Sequence, residues 1–314
     1  MTELKIELEE LNSQDFFGQQ NRNITKLRSC FPNLKIVARG NSIKAFGEEK
    51  YLKKFQKDLI KLIEHFNKYN VLNEEAIEGI ILENDIENNG LKSSNEKLIL
   101  HGVSGKIIKA ITKNQSSLVS LSESNDLVFA IGPAGTGKTY TAIAIAVKAL
   151  KENKVRKIIL TKPAIEAGEN LGFLPGDLKE KLDPYIQPLY DSLYGMISSN
   201  KLSAHIRDKT IEIAPLAYMR GRTLDEAFVI LDEAQNTTKA QMKMFLTRMG
   251  RNAKFIITGD PGQIDLPTGI KSGLKEALII LKKIKNISVV KFNDTDIIRH
   301  PLVKKIIKAY GVNK

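Results

Sequence analysis

A glycine-rich segment of the chain has the residue types and spacing that bind a polyphosphate. Residues 132–139 read Gly-Pro-Ala-Gly-Thr-Gly-Lys-Thr, which is the phosphate-loop pattern G-x-x-x-x-G-K-[ST]. Glycines let backbone N–H groups approach phosphate oxygens closely. Lys138 is expected to reach the β- and γ-phosphates, and the hydroxyl of Thr139 is expected to ligate Mg²⁺. The segment therefore predicts binding of a nucleoside triphosphate with Mg²⁺.

Two carboxylates follow an apolar run about ninety residues farther along the chain, a separation that suits a phosphate-loop NTPase. The run is 227–231, and Asp232 and Glu233 come directly after it. Asp232 is expected to hold Mg²⁺ through its water shell, and Glu233 to polarise the attacking water. Because the base directly follows the metal-binding acid, the pair indicates hydrolysis rather than transfer to a small acceptor.

A third set of polar residues follows another apolar run. Residues 255–263 read Phe-Ile-Ile-Thr-Gly-Asp-Pro-Gly-Gln. A buried strand here would deliver Thr258, Asp260 and Gln263 to the same end of a sheet. Gln263 is then expected to sense the γ-phosphate, directly or through water. The alternative is an ordinary polar turn after a strand.

The elements that must position these groups are apolar runs of strand length. Helical patterns or glycine loops separate them, and a helix is predicted over 142–150. Runs without alternation suit parallel strands that are covered on both faces, so the fold class is α/β with a parallel sheet. The predicted strands are 127–131, 157–161, 211–214, 227–231 and 254–258.

The first 70 residues or so predict a smaller α/β module of order β-α-β-β-α. A helix is predicted over 18–29, and a hairpin turn at Gly40-Asn41. This order resembles a KH-type nucleic-acid-binding fold, which clamps a nucleic-acid backbone with a GXXG loop between two helices. The nearest segment is Gly18-Gln-Gln-Asn21, which lacks the second glycine. Binding of single-stranded RNA and a purely structural role both stay open.

Three domains or segments follow from these patterns. A KH-like module is predicted at 1–84, and residues 71 to about 84 in it suggest a short helix. A polar, turn-rich linker with a small hairpin is predicted at 85–112, and the ATPase domain at 113–314.

Composition narrows the class of protein. The 314 residues carry a formal net charge of +12, which favours polyanions such as nucleic acid, although a lysine-rich proteome would give the same excess. The single cysteine, Cys30, allows no internal disulfide and fits a reducing compartment. The N-terminus lacks the pattern of a signal peptide, and no apolar run approaches a membrane span. A cytoplasmic protein without a membrane partner is expected.

The three polar groups together resemble the motifs of the helicase-like ATPases of superfamily one. The sequence segments between these motifs resemble the PhoH family. The resemblance covers roughly residues 113–305, and the KH-like module also occurs in this family. It implies a RecA-like phosphate-loop NTPase domain with a parallel sheet, ATP and Mg²⁺, a nucleic-acid connection and a homo-oligomeric ring, often hexameric. The segments that carry it are 131–140, 162–178, 219–223, 232–236 and 296–302.

The resemblance also implies residue roles. Gln115 is expected to contact adenine by analogy with related helicases, or else to be a polar residue at a helix start. Glu166 and Glu169 lie in a loop expected to face the nucleotide, a nucleic acid strand or only the fold itself. The predicted nucleotide-binding residues are Gln115, Gly132, Pro133, Ala134, Gly135, Thr136, Gly137, Lys138, Thr139 and Tyr140.

Arginine is scarce, with 10 of the 48 basic residues, yet Arg220, Arg222 and Arg299 all fall in family motifs. A planar guanidinium suits the spread charge of a γ-phosphate. Helicases of this superfamily take that arginine from a second RecA-like domain, for which this chain is too short. Arg222 or Arg299 is therefore expected to complete the site of a neighbouring subunit. Alternatively, these arginines bind acidic side chains within the fold.

Three functions compete. The first is Mg²⁺-dependent ATP hydrolysis coupled to RNA or single-stranded nucleic acid, with Lys138, Glu233, Gln263 and an arginine as catalytic residues. The second is an ATP-gated RNA-binding adaptor with slow turnover and no motor activity. The third, a small-molecule kinase, is disfavoured by the Asp232-Glu233 pair.

Overall fold

The computed structural model describes residues 2–8, 11–74, 76–81, 97–163, 178–298 and 302. Side chains are described over the same ranges except at 104 and 178–185. The chain divides into two compact units. The first unit comprises Met1–Ser94 with His101–Ile107, and the second comprises Asn95–Leu100 with Ile108–Lys314.

The first unit is a three-stranded antiparallel sheet with helices. Its strands lie in the order β1-β3-β2, and the 21-residue helix α3 places Leu52, Phe55 and Leu59 in the core, as its apolar period predicts. The bounds are β1 (Thr2–Glu7), α1 (Ser13–Phe17), α2 (Arg22–Cys30), β2 (Lys35–Arg39), β3 (Ser42–Gly47), α3 (Glu49–Tyr69) and α4 (76–81).

The predicted helix over 18–29 is wrong at its start. Gly18 has φ of +74°, and Gln20 and Asn21 have φ of +54° and +59°. These left-handed residues interrupt helical hydrogen bonding, so a short helix α1 ends before them and α2 begins after them. The order of strands and α-helices is therefore β-α-α-β-β-α, and the segment Gly18–Asn21, which includes a 3-10 turn at Gln19–Asn21, connects the two helices.

A small hairpin joins β4 (Lys97–His101) and β5 (Ile107–Ala110), close to its predicted place. Its tip, 101–107, belongs to the first unit, and its arms belong to the second. Residues 85–96 of the predicted linker lie outside the described part of the chain.

The second unit contains a six-stranded parallel sheet of order β11-β6-β10-β9-β7-β8. Its strands are β6 (Leu127–Ile131), β7 (Lys157–Lys162), β8 (Ile211–Pro215), β9 (Ala227–Leu231), β10 (Lys254–Gly259) and β11 (Ile287–Lys291). The α/β class and the five predicted strands are confirmed. The sixth strand, β11, was not predicted and pairs with β6.

Helices cover both faces of this sheet. Along β6, Val128 and Ala130 pack into one apolar cluster, and Phe129 and Ile131 pack into another on the opposite face. Each strand residue is thus buried on one side or the other, which explains the unbroken apolar runs. The helices are α5 (Lys113–Ser124), α6 (Lys138–Lys151), α7 (Leu178–Tyr194), α8 (Ser199–Arg207), α9 (Lys239–Leu246) and α10 (Gly273–Ile280).

The register of the strands brings their carboxyl ends level. Ile131 pairs with Gly259, and Leu231 pairs with both Ile257 and Thr161. The residues that follow β6, β9 and β10 therefore emerge along one edge of the sheet. No helix in the described part of the chain has the length and apolarity needed to cross a membrane.

Candidate nucleotide-binding site

The glycine segment forms a loop between β6 and α6. Gly132, Gly135 and Gly137 have φ of +147°, +79° and +76°. Residues with a side chain adopt such backbone conformations only with strain, so these positions favour glycine. A Cβ on Gly132 would lie 2.3 Å from the carbonyl oxygen of Phe292. The loop leads directly into the first turn of α6, which begins at Lys138. Backbone N–H groups and a helix N-terminus are thereby assembled at one place, as an anion-binding loop requires.

The lysine of the motif lies within its own loop. Its Nζ donates hydrogen bonds to the carbonyl oxygens of Gly132 and Pro133 over 2.7 Å and 2.6 Å. Lys138 is buried, and Thr136 beside it is fully buried with its hydroxyl donating to Pro133. The ammonium is therefore held where the loop would receive phosphate oxygens.

The two predicted metal ligands contact each other. Thr139 Oγ1 donates to Asp232 Oδ1 over 2.7 Å, although the two residues are 93 positions apart. The same carboxylate oxygen accepts a hydrogen bond from Thr258 Oγ1 over 2.6 Å. Three elements, α6, β9 and β10, thus converge on one oxygen, and the carboxylate has a defined orientation.

These groups surround a cavity of about 380 Å³, called the nucleotide cavity below. In the described part of the chain, two cavities of about 640 Å³ and two of about 400 Å³ and 390 Å³ are larger, but none of them is lined by these residues, so chemistry favours the smaller one. The nucleotide cavity is lined by Ala134, Gly135, Gly137, Lys138, Thr139, Tyr140, Lys162, Pro188, Leu189, Ser192, Asp232, Glu233, Gly259, Asp260 and Gln263.

Gln115 is held against the phosphate loop. Its Nε2 donates to the carbonyl oxygen of Thr136 over 2.9 Å, and its Oε1 accepts from the backbone N–H of Ile111 over 2.7 Å. The side chain is buried. These bonds give Gln115 a structural contact with the loop, and the predicted contact with adenine stays a prediction.

The segment before Arg299 also reaches the phosphate loop. The backbone N–H of Ile298 donates to the carbonyl oxygen of Gly135 over 2.8 Å. Asp296 is buried and accepts from Asn114 Nδ2 over 2.7 Å. Burial acts to raise the pKa of this carboxyl, but hydrogen bonds to it outweigh burial and lower the pKa. Arg299 itself lies outside the described residues.

Arg222 makes a bidentate ion pair within the fold. Its two terminal nitrogens donate to the carboxylate of Glu212 on β8 over 2.6 Å and 2.7 Å. Acting on a neighbouring subunit would require Arg222 to leave this partner, so the geometry favours the role within the fold. Arg220 is exposed.

Some residues of the cavity were not singled out from the sequence as binding or catalytic. Lys162 ends β7, and a charged residue at the carboxyl end of a buried parallel strand is the signal that could have identified it. Ser192 lies on α7 with no comparable signal. Glu166 and Glu169 lie outside the described residues. Within the described ranges, no group of three or more His, Cys, Asp or Glu side chains is placed to hold a metal ion.

The family model and the relatives found by comparison with known proteins carry the same family name. The family model described as PhoH-like protein matches residues 107–311. A PhoH-like protein of Bacillus subtilis (strain 168) is 50% identical over 295 residues, 94% of this chain and 92% of that relative. A PhoH-like protein of Synechocystis sp. is 43% identical over 294 residues, 93% of this chain and 89% of that relative.

Solved structures are similar only in part. The Sulfolobus solfataricus SWI2/SNF2 ATPase core in complex with dsDNA is 14% identical, with a TM-score of 0.31, and the match covers 58% of this chain and 43% of that one. A likeness at this level supports no statement about function. The family match and the long alignments with relatives are sufficient by themselves: this chain belongs to the PhoH-like protein family.

Proposed function

We propose that this chain binds ATP with Mg²⁺ and hydrolyses it, and that hydrolysis is coupled to RNA or single-stranded nucleic acid. The observation that carries the proposal is the contact of Thr139 with Asp232 at the mouth of the glycine loop. It joins the loop that binds phosphate to the strand that supplies acid and base. Glu233 lines the same cavity, where it can reach a water beside the terminal phosphate.

Binding of the triphosphate falls to the loop and to α6. The backbone N–H groups of 134–137 and the N-terminal end of α6 are the donors for phosphate oxygens, and the ammonium of Lys138 meets the β- and γ-phosphates. The carbonyl oxygens of Gly132 and Pro133 that now hold Lys138 keep it pointed into the loop. The lysine therefore needs little reorganisation when phosphate arrives.

The donor set fits a magnesium ion. A hydroxyl and a carboxylate already lie together at Thr139 and Asp232, and phosphate oxygens and water would supply the remaining ligands. A magnesium ion held by Thr139 and Asp232 would supply positive charge to balance the charge that builds up on the phosphate during attack by water. Thr258 orients Asp232 from the opposite side, so the carboxylate is ready for the metal.

Glu233 is the general base for hydrolysis, and Gln263 senses the γ-phosphate. Glu233 accepts a proton from the attacking water, and the adjacent Asp232 remains with the metal. Gln263 follows the end of β10 and lines the same cavity. Bond cleavage between the β- and γ-phosphates then gives ADP and phosphate.

Three features support the nucleic-acid part of the proposal. The net charge of +12 favours a polyanion. The first unit has the β-α-α-β-β-α order, and its Gly18–Asn21 loop lies between two helices, where a KH domain places its clamp. We therefore propose that the first unit is a KH-like RNA-binding module.

The experiment compares ATP turnover of the wild type with that of two variants. Lys138→Ala is expected to lose tight ATP binding, since no ammonium meets the phosphate charge. Glu233→Gln is expected to keep ATP bound while turnover falls at least about 100-fold, because the base is lost. If Glu233→Gln turns over ATP at the wild-type rate, the assignment of the base is wrong.

The same assay tests the nucleic-acid coupling. Turnover is measured with and without poly-U RNA, single-stranded DNA and duplexes. Stimulation by single strands supports a coupled ATPase. RNA binding with slow, unstimulated turnover and no strand movement would favour the ATP-gated adaptor instead.

A further inference from the structure

A buried glutamine bridges the proposed base and the loop that follows β10. Gln235 is 1% exposed. Its Nε2 donates to Glu233 Oε2 over 2.5 Å, and its Oε1 accepts from the backbone N–H of Asp260 over 3.0 Å. One amide side chain therefore contacts both the carboxylate expected to activate water and the loop that carries Gln263.

The orientation of this amide is determined by its partners. An ionised carboxylate only accepts hydrogen bonds and a backbone N–H only donates, so the nitrogen must face Glu233 and the oxygen must face Asp260. The main chain of Gln235 is held as well, because its carbonyl oxygen accepts from Ser272 Oγ over 2.7 Å. The donor to Glu233 thus has little freedom to move.

The next residue ties the same loop at a second point. Asn236 Nδ2 donates to Asp265 Oδ2 over 3.1 Å, and Asn236 Oδ1 accepts from the backbone N–H of Asp265 over 2.9 Å. Residues 260–265 are therefore bonded near both ends to the pair that directly follows Glu233 and Ala234. The backbone N–H of Gln263 donates to the carbonyl oxygen of Asp260 over 3.1 Å, so Gln263 is bonded to the residue that contacts Gln235.

Glu233 depends on such support. Its backbone is left-handed, with φ of 52° and ψ of 40°, and its side chain is only partly buried. Without a bonded partner a glutamate on such a turn samples several rotamers. A misplacement of a catalytic group by about 1 Å can lower a rate about 100-fold.

We propose that Gln235 is a positioning residue, which holds the carboxylate of Glu233 in its reactive orientation and couples it to the loop that carries Gln263. The proposal rests on ATP hydrolysis as the function. It adds a route by which contact of Gln263 with the γ-phosphate acts on the base: the loop moves Asp260, Asp260 moves the amide, and the amide moves the carboxylate.

The decisive variant is Gln235→Met. Its unbranched side chain has nearly the length of glutamine but cannot donate to Glu233, and it also leaves the N–H of Asp260 without its acceptor. The Tm of the variant therefore checks that the fold is retained. The kcat for ATP is expected to fall about 100-fold. The KM for ATP is expected to stay within about threefold, because the side chain of Gln235 bonds Glu233 and Asp260, whereas phosphate binding is assigned to Lys138 and Thr139.

A double-mutant cycle separates positioning from a general structural effect. In a chain that already carries Glu233→Ala, Gln235→Met is expected to change the residual kcat by no more than about twofold, since residues that act as a unit are not additive. A matched control is Gln241→Ala. That glutamine bonds the backbone N–H of Thr238 at the start of α9, so its loss lowers the Tm and leaves kcat and KM unchanged.

The outcomes are distinct. A Gln235→Met protein with wild-type kcat, or with an equal loss in both backgrounds of the cycle, would overturn the positioning role while leaving ATP hydrolysis in place. A rise in KM without a fall in kcat would also overturn it. A wild-type chain without any ATP turnover would overturn the proposed function, and the role of Gln235 with it.

Discussion

The hydroxyl of Thr258 illustrates how single residues define the site. It lies at the end of β10, is fully buried, and donates to the same oxygen of Asp232 that accepts from Thr139. Two hydrogen-bond donors in fixed positions restrict the orientation of the carboxylate that accepts from them. The carboxylate is therefore presented to a metal without a search among rotamers.

Thr258→Val is expected to raise the Mg²⁺ concentration for half-maximal ATP turnover. Valine has the shape of threonine but no hydroxyl, so Asp232 loses one of its orienting bonds. Removal of such a supporting contact typically costs about 10- to 100-fold in metal affinity. The measurement is a Mg²⁺ titration of the rate at saturating ATP. Thr258→Ser keeps the hydroxyl and serves as the control; equal Mg²⁺ requirements for the two variants would contradict the role.

Side-chain chemistry at the residue scale was partly predictable. A short motif and a strand end were enough to predict that Lys138, Thr139 and Asp232 lie close together, and the structure places all three at one cavity, while their roles stay predictions. The bonds of Gln115 to Thr136, and of Gln235 to Glu233 and Asp260, could not. They depend on which rotamer a long amide adopts and on where sequence-distant backbone groups lie, and neither is encoded in local spacing.

At the scale of elements, polar pairs connect strands to turns, and the ion pair between Arg222 and Glu212 is an example. The two side chains are 32% and 27% exposed, and they join β8 to the turn after 219. The hydrogen bond from Arg222 holds the pKa of Glu212 below its ordinary value, with burial acting in the opposite direction. A carboxyl with a lowered pKa stabilises the fold above its unfolded value of about 4.3, and that contribution is lost as the pH falls through the folded value.

Glu212→Gln is expected to lower the free energy of unfolding by about 1 kcal/mol at pH 7, because a partly exposed ion pair is partly screened. Urea unfolding at pH 7 and at a low pH, below the folded pKa of Glu212, measures the effect. The difference between the variant and the wild type should shrink at the lower pH, where the carboxyl is protonated. Glu226→Gln is the control, since its partner Arg156 is 81% exposed. Equal losses at both pH values would show that the ion pair is not the cause.

Predictability of the elements followed burial. β6 and β9 were predicted with their observed bounds, because every residue in them is buried and the runs are unbroken. The strand β11 was missed, since four of its five residues are partly buried or exposed edge positions and its apolar run is short. The loop Gly18–Asn21 was merged into a helix because glutamine and asparagine in left-handed backbone leave no distinct local signal.

At the scale of the whole molecule, the excess of positive charge predicts how nucleic acid binding responds to salt. Affinity for a labelled poly-U strand should fall about 10-fold or more between 50 and 200 mM salt, since each phosphate contact releases counterions. Fluorescence anisotropy measures it. Affinity that is independent of salt would contradict a phosphate-directed mode.

The same assay locates the contact. Gln19 and Gln20 are exposed in the loop between α1 and α2, and aspartate tolerates the left-handed backbone of Gln20. A Gln19→Asp, Gln20→Asp double variant places two carboxylates where phosphates would bind, so affinity for poly-U should fall at least about 10-fold. The matched control is Gln19→Asn, Gln20→Asn. If both double variants bind like the wild type, the first unit is not the RNA-binding module.

Completion of the site by a neighbouring copy is the remaining prediction at this scale. Arg222 is occupied by Glu212, so of the two arginines expected to act on a neighbour, Arg299 is the better one to test. In a ring, Arg299→Ala chains retain Glu233, and Glu233→Gln chains retain Arg299. Mixing two inactive proteins should then restore part of the ATP turnover, because some interfaces combine an intact base from one chain with an intact arginine from the next. Arg222→Ala chains, mixed in the same way, should gain nothing. A solution mass of a monomer, or no recovery in the Arg299→Ala mixture, would show that Arg299 does not act between subunits.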